Sequence, residues 1–245
     1  MNNITKKKSI NVFCLPYAGG NKYSYREFEK TAPEFLNLIT LDYPGRIPRI
    51  REPLLPDING LVNDIYRQIK HKTDLKEYAI YGHSMGGLIA SLLTKKLIEN
   101  KHRVPLHLFI TGTSGPSAPS RREKKRHLLP QKEFLQEMKD LDGIPEEILQ
   151  TEELLHFFEP VLRSDFRACE NYIHTETEPF NIPVTVITGA DEDMEKVDIH
   201  LWQKETRQIV DFRVLPGNHF FIYDNINEIM EIISEKLSVY TKLTH

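Results

Sequence analysis

Tyr78-Ala79-Ile80-Tyr81-Gly82-His83-Ser84-Met85-Gly86-Gly87-Leu88-Ile89 is the stretch on which the fold turns. Its first four residues are a short apolar run without helical spacing and predict a buried strand, whereas from Met85 to Glu99 the apolar residues recur at helical intervals. Between the two lies Gly82-x-Ser84-x-Gly86, a serine at a strand-to-helix turn. Such a turn needs strained dihedrals at the serine, and glycines on either side keep Cβ atoms from blocking the neighbouring chain. Ser84 is therefore expected to raise its hydroxyl above the carboxyl edge of a sheet, as a nucleophile. The competing reading is a glycine-rich turn holding an ordinary serine.

Outward from that turn, further β-rich runs occupy residues 10–15, 38–43, 106–111, 183–188 and 212–215. With 78–81 they make six predicted strands. They lack strict polar alternation, as suits strands covered on both faces, and helical patterns near 24–36, 57–71, 85–99, 195–208 and 224–239 supply the cover. A mainly parallel α/β sheet follows. The rhythm breaks from about 114 to 179, where segments near 131–140, 145–158 and 160–174 look helical, with Pro145 in a first turn and Pro160 opening the last segment. This is an insertion in one domain spanning residues 1–245, suited either to a lid over the site or to bracing the sheet.

A chain of 245 residues with 40% hydrophobic and 27% charged residues has the composition of a soluble globular protein. Thirty-two basic residues against 35 acidic ones leave a formal charge of −3, which gives no bulk attraction to nucleic acid or anionic lipid. No apolar run is long enough to span a membrane. Lys6-Lys7-Lys8 is not followed by an apolar signal segment, and Cys14 and Cys169 fit no disulfide framework, so a cytoplasmic protein with reduced thiols is expected. HExxH, a Walker A loop and a Rossmann GxGxxG are missing, so neither metal nor nucleotide cofactor is implied.

A serine nucleophile requires a base, and among ten histidines His219 stands out, because Leu215-Pro216-Gly217-Asn218-His219-Phe220 joins the last strand to the last helix. His83 is expected to be structural; His71, His102, His127, His200 and His245 look like surface residues. The carboxylate orienting the imidazole should follow a strand between Ser84 and His219, and Gly189-Ala190-Asp191-Glu192-Asp193 offers three. Asp191 is preferred and Asp193 is the alternative. For the oxyanion, the N–H of Met85 provides one donor, and Ala18, in Leu15-Pro16-Tyr17-Ala18-Gly19-Gly20 after the first strand, the other.

Taken together, these residues resemble the type II, stand-alone thioesterases of nonribosomal peptide and polyketide synthesis, which are α/β hydrolases. Leu15 to Gly20 looks like the family's oxyanion loop, Tyr43-Pro44-Gly45-Arg46 like its Pro-Gly-Arg segment, and Gly82 to Gly87 like its nucleophile elbow; Trp202 and Pro216 to Phe220 also fit. The resemblance implies an α/β-hydrolase fold with a helical lid and an acyl thioester substrate on the phosphopantetheine arm of an acyl or peptidyl carrier protein. No cofactor on the enzyme is implied. In this family the acid is commonly an Asp third after the glycine, a place taken here by Glu192. Arg46 also has the simpler reading of a loop arginine paired with a carboxylate. The run Arg121-Arg122-Glu123-Lys124-Lys125-Arg126 is a candidate contact for acidic carriers. A carboxylesterase or lipase acting on small esters, an acyltransferase, or a silent binding module on the same scaffold are the alternatives.

Overall fold

The computed structural model describes residues 9–141 and 150–242. Strands β1 (Ile10–Leu15), β2 (Leu36–Thr40), β3 (Tyr78–His83), β4 (Leu108–Thr111), β5 (Val184–Gly189) and β6 (Asp211–Leu215) form one sheet in the order β2-β1-β3-β4-β5-β6. Every pairing is parallel; Val12, for example, lies between Leu38 and Ala79. Strand alternation sends Phe13, Leu15 and Ile80 to one apolar cluster and Val12, Cys14 and Tyr81 to another. Two buried faces explain why these runs read as continuously apolar.

Helices α2 (Ile58–Thr73) and α3 (Met85–Glu99) cover the first face, and α1 (Arg26–Thr31) and α7 (Ile226–Lys242) the second. The first helix is shorter than its predicted 24–36, because Ala32 turns extended (ψ 133°) ahead of Pro33. Strand β2 accordingly begins at Leu36, two residues earlier than expected. The last residues of the expected strand are drawn out of the sheet by side-chain bonds: Asp42 accepts from Lys22 N (2.6 Å), and the Tyr43 hydroxyl donates to Pro16 O (3.0 Å).

The chain between β4 and β5 is helical, with 3₁₀ turns at Pro119–Arg122 and Arg126–Leu128, then α4 (Gln131–Asp140) and α5 (Glu152–Glu170). Pro160 does not open a new helix. It sits inside α5, where it removes one backbone donor, yet Val161, Leu162 and Ala168 continue a buried face beyond it. Burial along that face outweighs the lost bond. Pro145 and the Lys6 to Lys8 run lie outside the described residues. After β5 come α6 (Lys196–His200) and a 3₁₀ turn, Leu201–Lys204, in which buried Trp202 donates to Thr113 O (2.9 Å). No helix among the described residues is long and apolar enough to cross a membrane.

The chain winds outward from β1 to β2, returns to β3 on the other side, and then proceeds one way to β6. That reversal opens a crevice at the carboxyl ends of β1 and β3, where ligands bind in open α/β sheets.

His107, just before β4, is a buried titratable group. Its Nε2 meets Thr185 Oγ1 at 2.9 Å and its ring stacks on Phe109 with centroids 4.3 Å apart. Burial first, and Lys236 second, pull its pKa down to about 4. The unfolded chain takes up this proton near the ordinary value of about 6.5, so acidification between these values favours unfolding by up to ~1.4 kcal/mol per pH unit. Urea titrations at pH 6.5 and pH 5 should show a loss of about 2 kcal/mol from this residue, and His107→Gln should remove that share. An unchanged loss in the variant would place the acid sensitivity elsewhere.

Candidate active site

Ser84 joins β3 to α3 with φ 54° and ψ −116°, a conformation that non-glycine residues avoid. What holds it there is close packing at the glycines. A methyl group on Gly86 would run into the carbonyl of Leu15, and one on Gly82 into the backbone of Gly86, so strand, turn and helix meet at backbone distance. The strain points the Ser84 hydroxyl out of the sheet into a cavity of about 570 Å³.

His219 reaches the same place from the loop after β6. Its Nε2 lies 3.1 Å from Ser84 Oγ, and its Nδ1 lies 2.7 Å from an Oε1 acceptor on Glu192. Glu192, and not the expected Asp191, is the carboxylate that the structure places against His219. Asp191 is exposed and contributes its backbone, which donates to Gly217 O (3.0 Å) and ties the β5 turn to the His219 loop. Asp193, the alternative, is 99% exposed and faces Lys124 across 3.5 Å of solvent-exposed surface. The Glu192 side chain, by contrast, is 3% exposed and folds back to accept from Gly189 N at 2.7 Å. The extra methylene lets a carboxylate two positions beyond Ala190 fold beneath the turn and reach the imidazole. The third place after Gly189, where the resemblance expects an acid, was the available signal.

Because Glu192 accepts the Nδ1–H, Nε2 carries the free lone pair that faces the serine. His83 is buried and structural, as expected, with Nδ1 3.0 Å from Thr111 Oγ1 and its ring 5.0 Å from that of His219. Burial, reinforced by His219, holds His83 well below the usual histidine range, so it packs against His219 as a neutral ring. Cys169 also lines the cavity, but burial pushes its thiol up to about 12 and keeps it protonated and unreactive. Ala18 lies on the cavity wall beside Ser84, and Met85 opens α3, where backbone donors have no carbonyl one turn earlier. Met138, Leu162 and Phe166 from the inserted helices give the cavity an apolar side.

The basic run contributes less surface than its sequence suggests. Arg121 donates to Gly115 O (2.8 Å) and Thr113 Oγ1 (2.7 Å); Lys125 donates to Glu170 O; Arg126 pairs with Glu137 at 2.8 Å. These residues fasten the insertion, leaving Arg122 and Lys124 exposed. His127, expected at the surface, is packed against Glu170 with its side chain 9% exposed.

Residues 10–237 match the family model of the thioesterase domain. Over 236 residues the chain is 31% identical to gramicidin S biosynthesis protein GrsT of Aneurinibacillus migulanus, covering 96% of this chain and 91% of that one. Among solved structures, ClbQ from the colibactin NRPS/PKS pathway superposes with a TM-score of 0.89 at 28% identity, covering 97% of this chain and 100% of that chain. The type II thioesterase BorB from the borrelidin biosynthetic cluster gives 0.85 at 28% identity, covering 94% and 93%. The chain belongs to the thioesterase family, with type II thioesterases of the α/β-hydrolase fold as its relatives.

Proposed function

We propose that this chain hydrolyses acyl thioesters carried on the phosphopantetheine arm of acyl or peptidyl carrier proteins in nonribosomal peptide or polyketide synthesis, releasing stalled or misloaded groups. The observation that carries the reading is the continuous relay Glu192–His219–Ser84, with contacts of 2.7 and 3.1 Å, opening on one cavity. The biosynthetic pathways named for its relatives support the substrate class.

In this mechanism Ser84 Oγ attacks the thioester carbonyl while His219 Nε2 takes its proton. Negative charge gathers on the carbonyl oxygen, stabilised by the N–H groups of Ala18 and Met85. The C–S bond breaks, and the imidazolium returns the proton to the departing pantetheine sulfur. Water then attacks the acyl-serine ester, giving its proton to His219; the tetrahedral adduct expels Ser84, which recovers that proton, and the free acid leaves. Glu192 stabilises the imidazolium at each step and keeps the tautomer productive. The enzyme itself needs no cofactor in this scheme.

Three outcomes test this reading. A fluorophosphonate should add once to the wild-type chain by intact mass and not to Ser84→Ala, whose turnover should fall on the order of a million-fold; an adduct persisting in the variant would remove Ser84 from the mechanism. Glu192→Gln should lower kcat by about 10⁴-fold, with Asp191→Asn and Asp193→Asn near wild type. The reverse pattern would return the role to an aspartate. Acyl-loaded carrier protein should give a higher kcat/KM than the same acyl group on free pantetheine, because contacts remote from the thioester contribute to its transition state. With Arg122 and Lys124 the only exposed basic residues of the run, and Glu123 exposed between them, that preference should change little with salt. Equal rates on both thioesters, or a preference for a p-nitrophenyl ester, would favour an esterase.

A further inference from the structure

Arg46 is absorbed by nothing in that mechanism, yet it is 5% exposed and forms an ion pair with Asp165, whose side chain is 1% exposed. Asp165 comes from α5, and the oxygen that meets Arg46 Nη2, Oδ2, also accepts from Gly19 N at 2.7 Å. Gly19 is the residue after Ala18. Its φ of +79° is disfavoured for other residues, and Leu162 leaves no room for a side chain there. Leu162 and Asp165, three residues apart on one helix face, therefore grip Gly19 by packing and by hydrogen bond.

The Tyr43 to Arg46 segment grips the same loop from below. The Tyr43 hydroxyl donates to Pro16 O at 3.0 Å, and Arg46 lies over the Tyr43 ring, 5.0 Å from its centroid, while its Nη1 donates to Pro44 O at 2.8 Å. Ala18 is thus clamped on both sides, at Pro16 and at Gly19. A buried ion pair is weak evidence for stability, since an apolar pair of similar volume often serves as well. What apolar residues cannot supply is an acceptor for the Gly19 N–H.

Resting on the serine-hydrolase reading above, we propose that Asp165 is a positioning residue for the oxyanion loop, that Arg46 fixes its carboxylate, and that α5 thereby sets the aim of the Ala18 N–H. The inserted helices then govern transition-state stabilisation as well as shaping the acyl cavity.

Two uncharged replacements separate this from plain structural support. Arg46→Met/Asp165→Asn keeps an oxygen for Gly19 N–H, whereas Arg46→Met/Asp165→Leu removes it, and neither leaves a buried charge unpaired. We expect similar urea midpoints, a kcat loss under about tenfold for the Asn pair and of about a hundredfold for the Leu pair, and KM values within about threefold, because the loss falls on the developing oxyanion. If leucine prevents folding, Asp165→Ala on the Arg46→Met background makes the same comparison. Equal kcat in the two pairs, or a loss confined to KM, overturns the proposal. Wild-type chain that labels at Ser84 while the pairs behave alike overturns this inference alone; wild-type chain that neither labels nor hydrolyses thioesters overturns the reading on which it rests.

Discussion

The contact between Gly86 and the carbonyl of Leu15 is the constraint from which the site follows. Helix α3 can start against the end of β1 only because no side chain stands between them. That proximity bends the chain sharply at Ser84, and the strained dihedrals are maintained by packing on both sides. It also brings the loop after β1 beside the nucleophile. A reacting carbonyl held at Ser84 therefore lies near backbone donors from two different crossovers of the sheet. The turn at Ser84 and the loop after β1 thus share one backbone packing contact.

The relay beyond the serine relies on reach. Glu192 departs from β5 and His219 from β6, while Ser84 departs from β3, with β4 lying between. Neighbouring strands stand roughly 4.8 Å apart, so Glu192 and His219 together must reach across several strand widths to Ser84. The backbone bond from Asp191 N to Gly217 O holds their two loops together, and the Gly189 N–H holds the far oxygen of Glu192. The carboxylate is thereby fixed at both oxygens, which makes a glutamate, ordinarily the more mobile acid, as definite in direction as an aspartate.

Much of this was legible from residue patterns. The six strands read correctly because buried parallel strands are continuously apolar, and Ser84 and His219 stood out because each sits where a strand gives way to a helix. The acid did not, since three consecutive carboxylates differ only in which one folds inward, and that depends on the backbone bonds of the turn. Pro160 departs from its reading for a related reason: its local preference is for a helix start, but burial of the apolar face that continues beyond it offsets the hydrogen bond lost there. Arg46 could be read as half of an ion pair, whereas its partner, 119 positions away on α5, is defined only by tertiary packing.

Strand β6 is the edge of the sheet and among the described residues pairs with β5 alone, yet the loop it carries brings His219 to Ser84. Ser84, its strained turn and the loop after β1 all belong to the earlier part of the chain. During synthesis Ser84 therefore emerges well before His219, and a chain cut ahead of β6 holds the serine without its imidazole contact. The contact between Ser84 and His219 is thus made only when the C-terminal strand has docked and little of the fold remains to be completed.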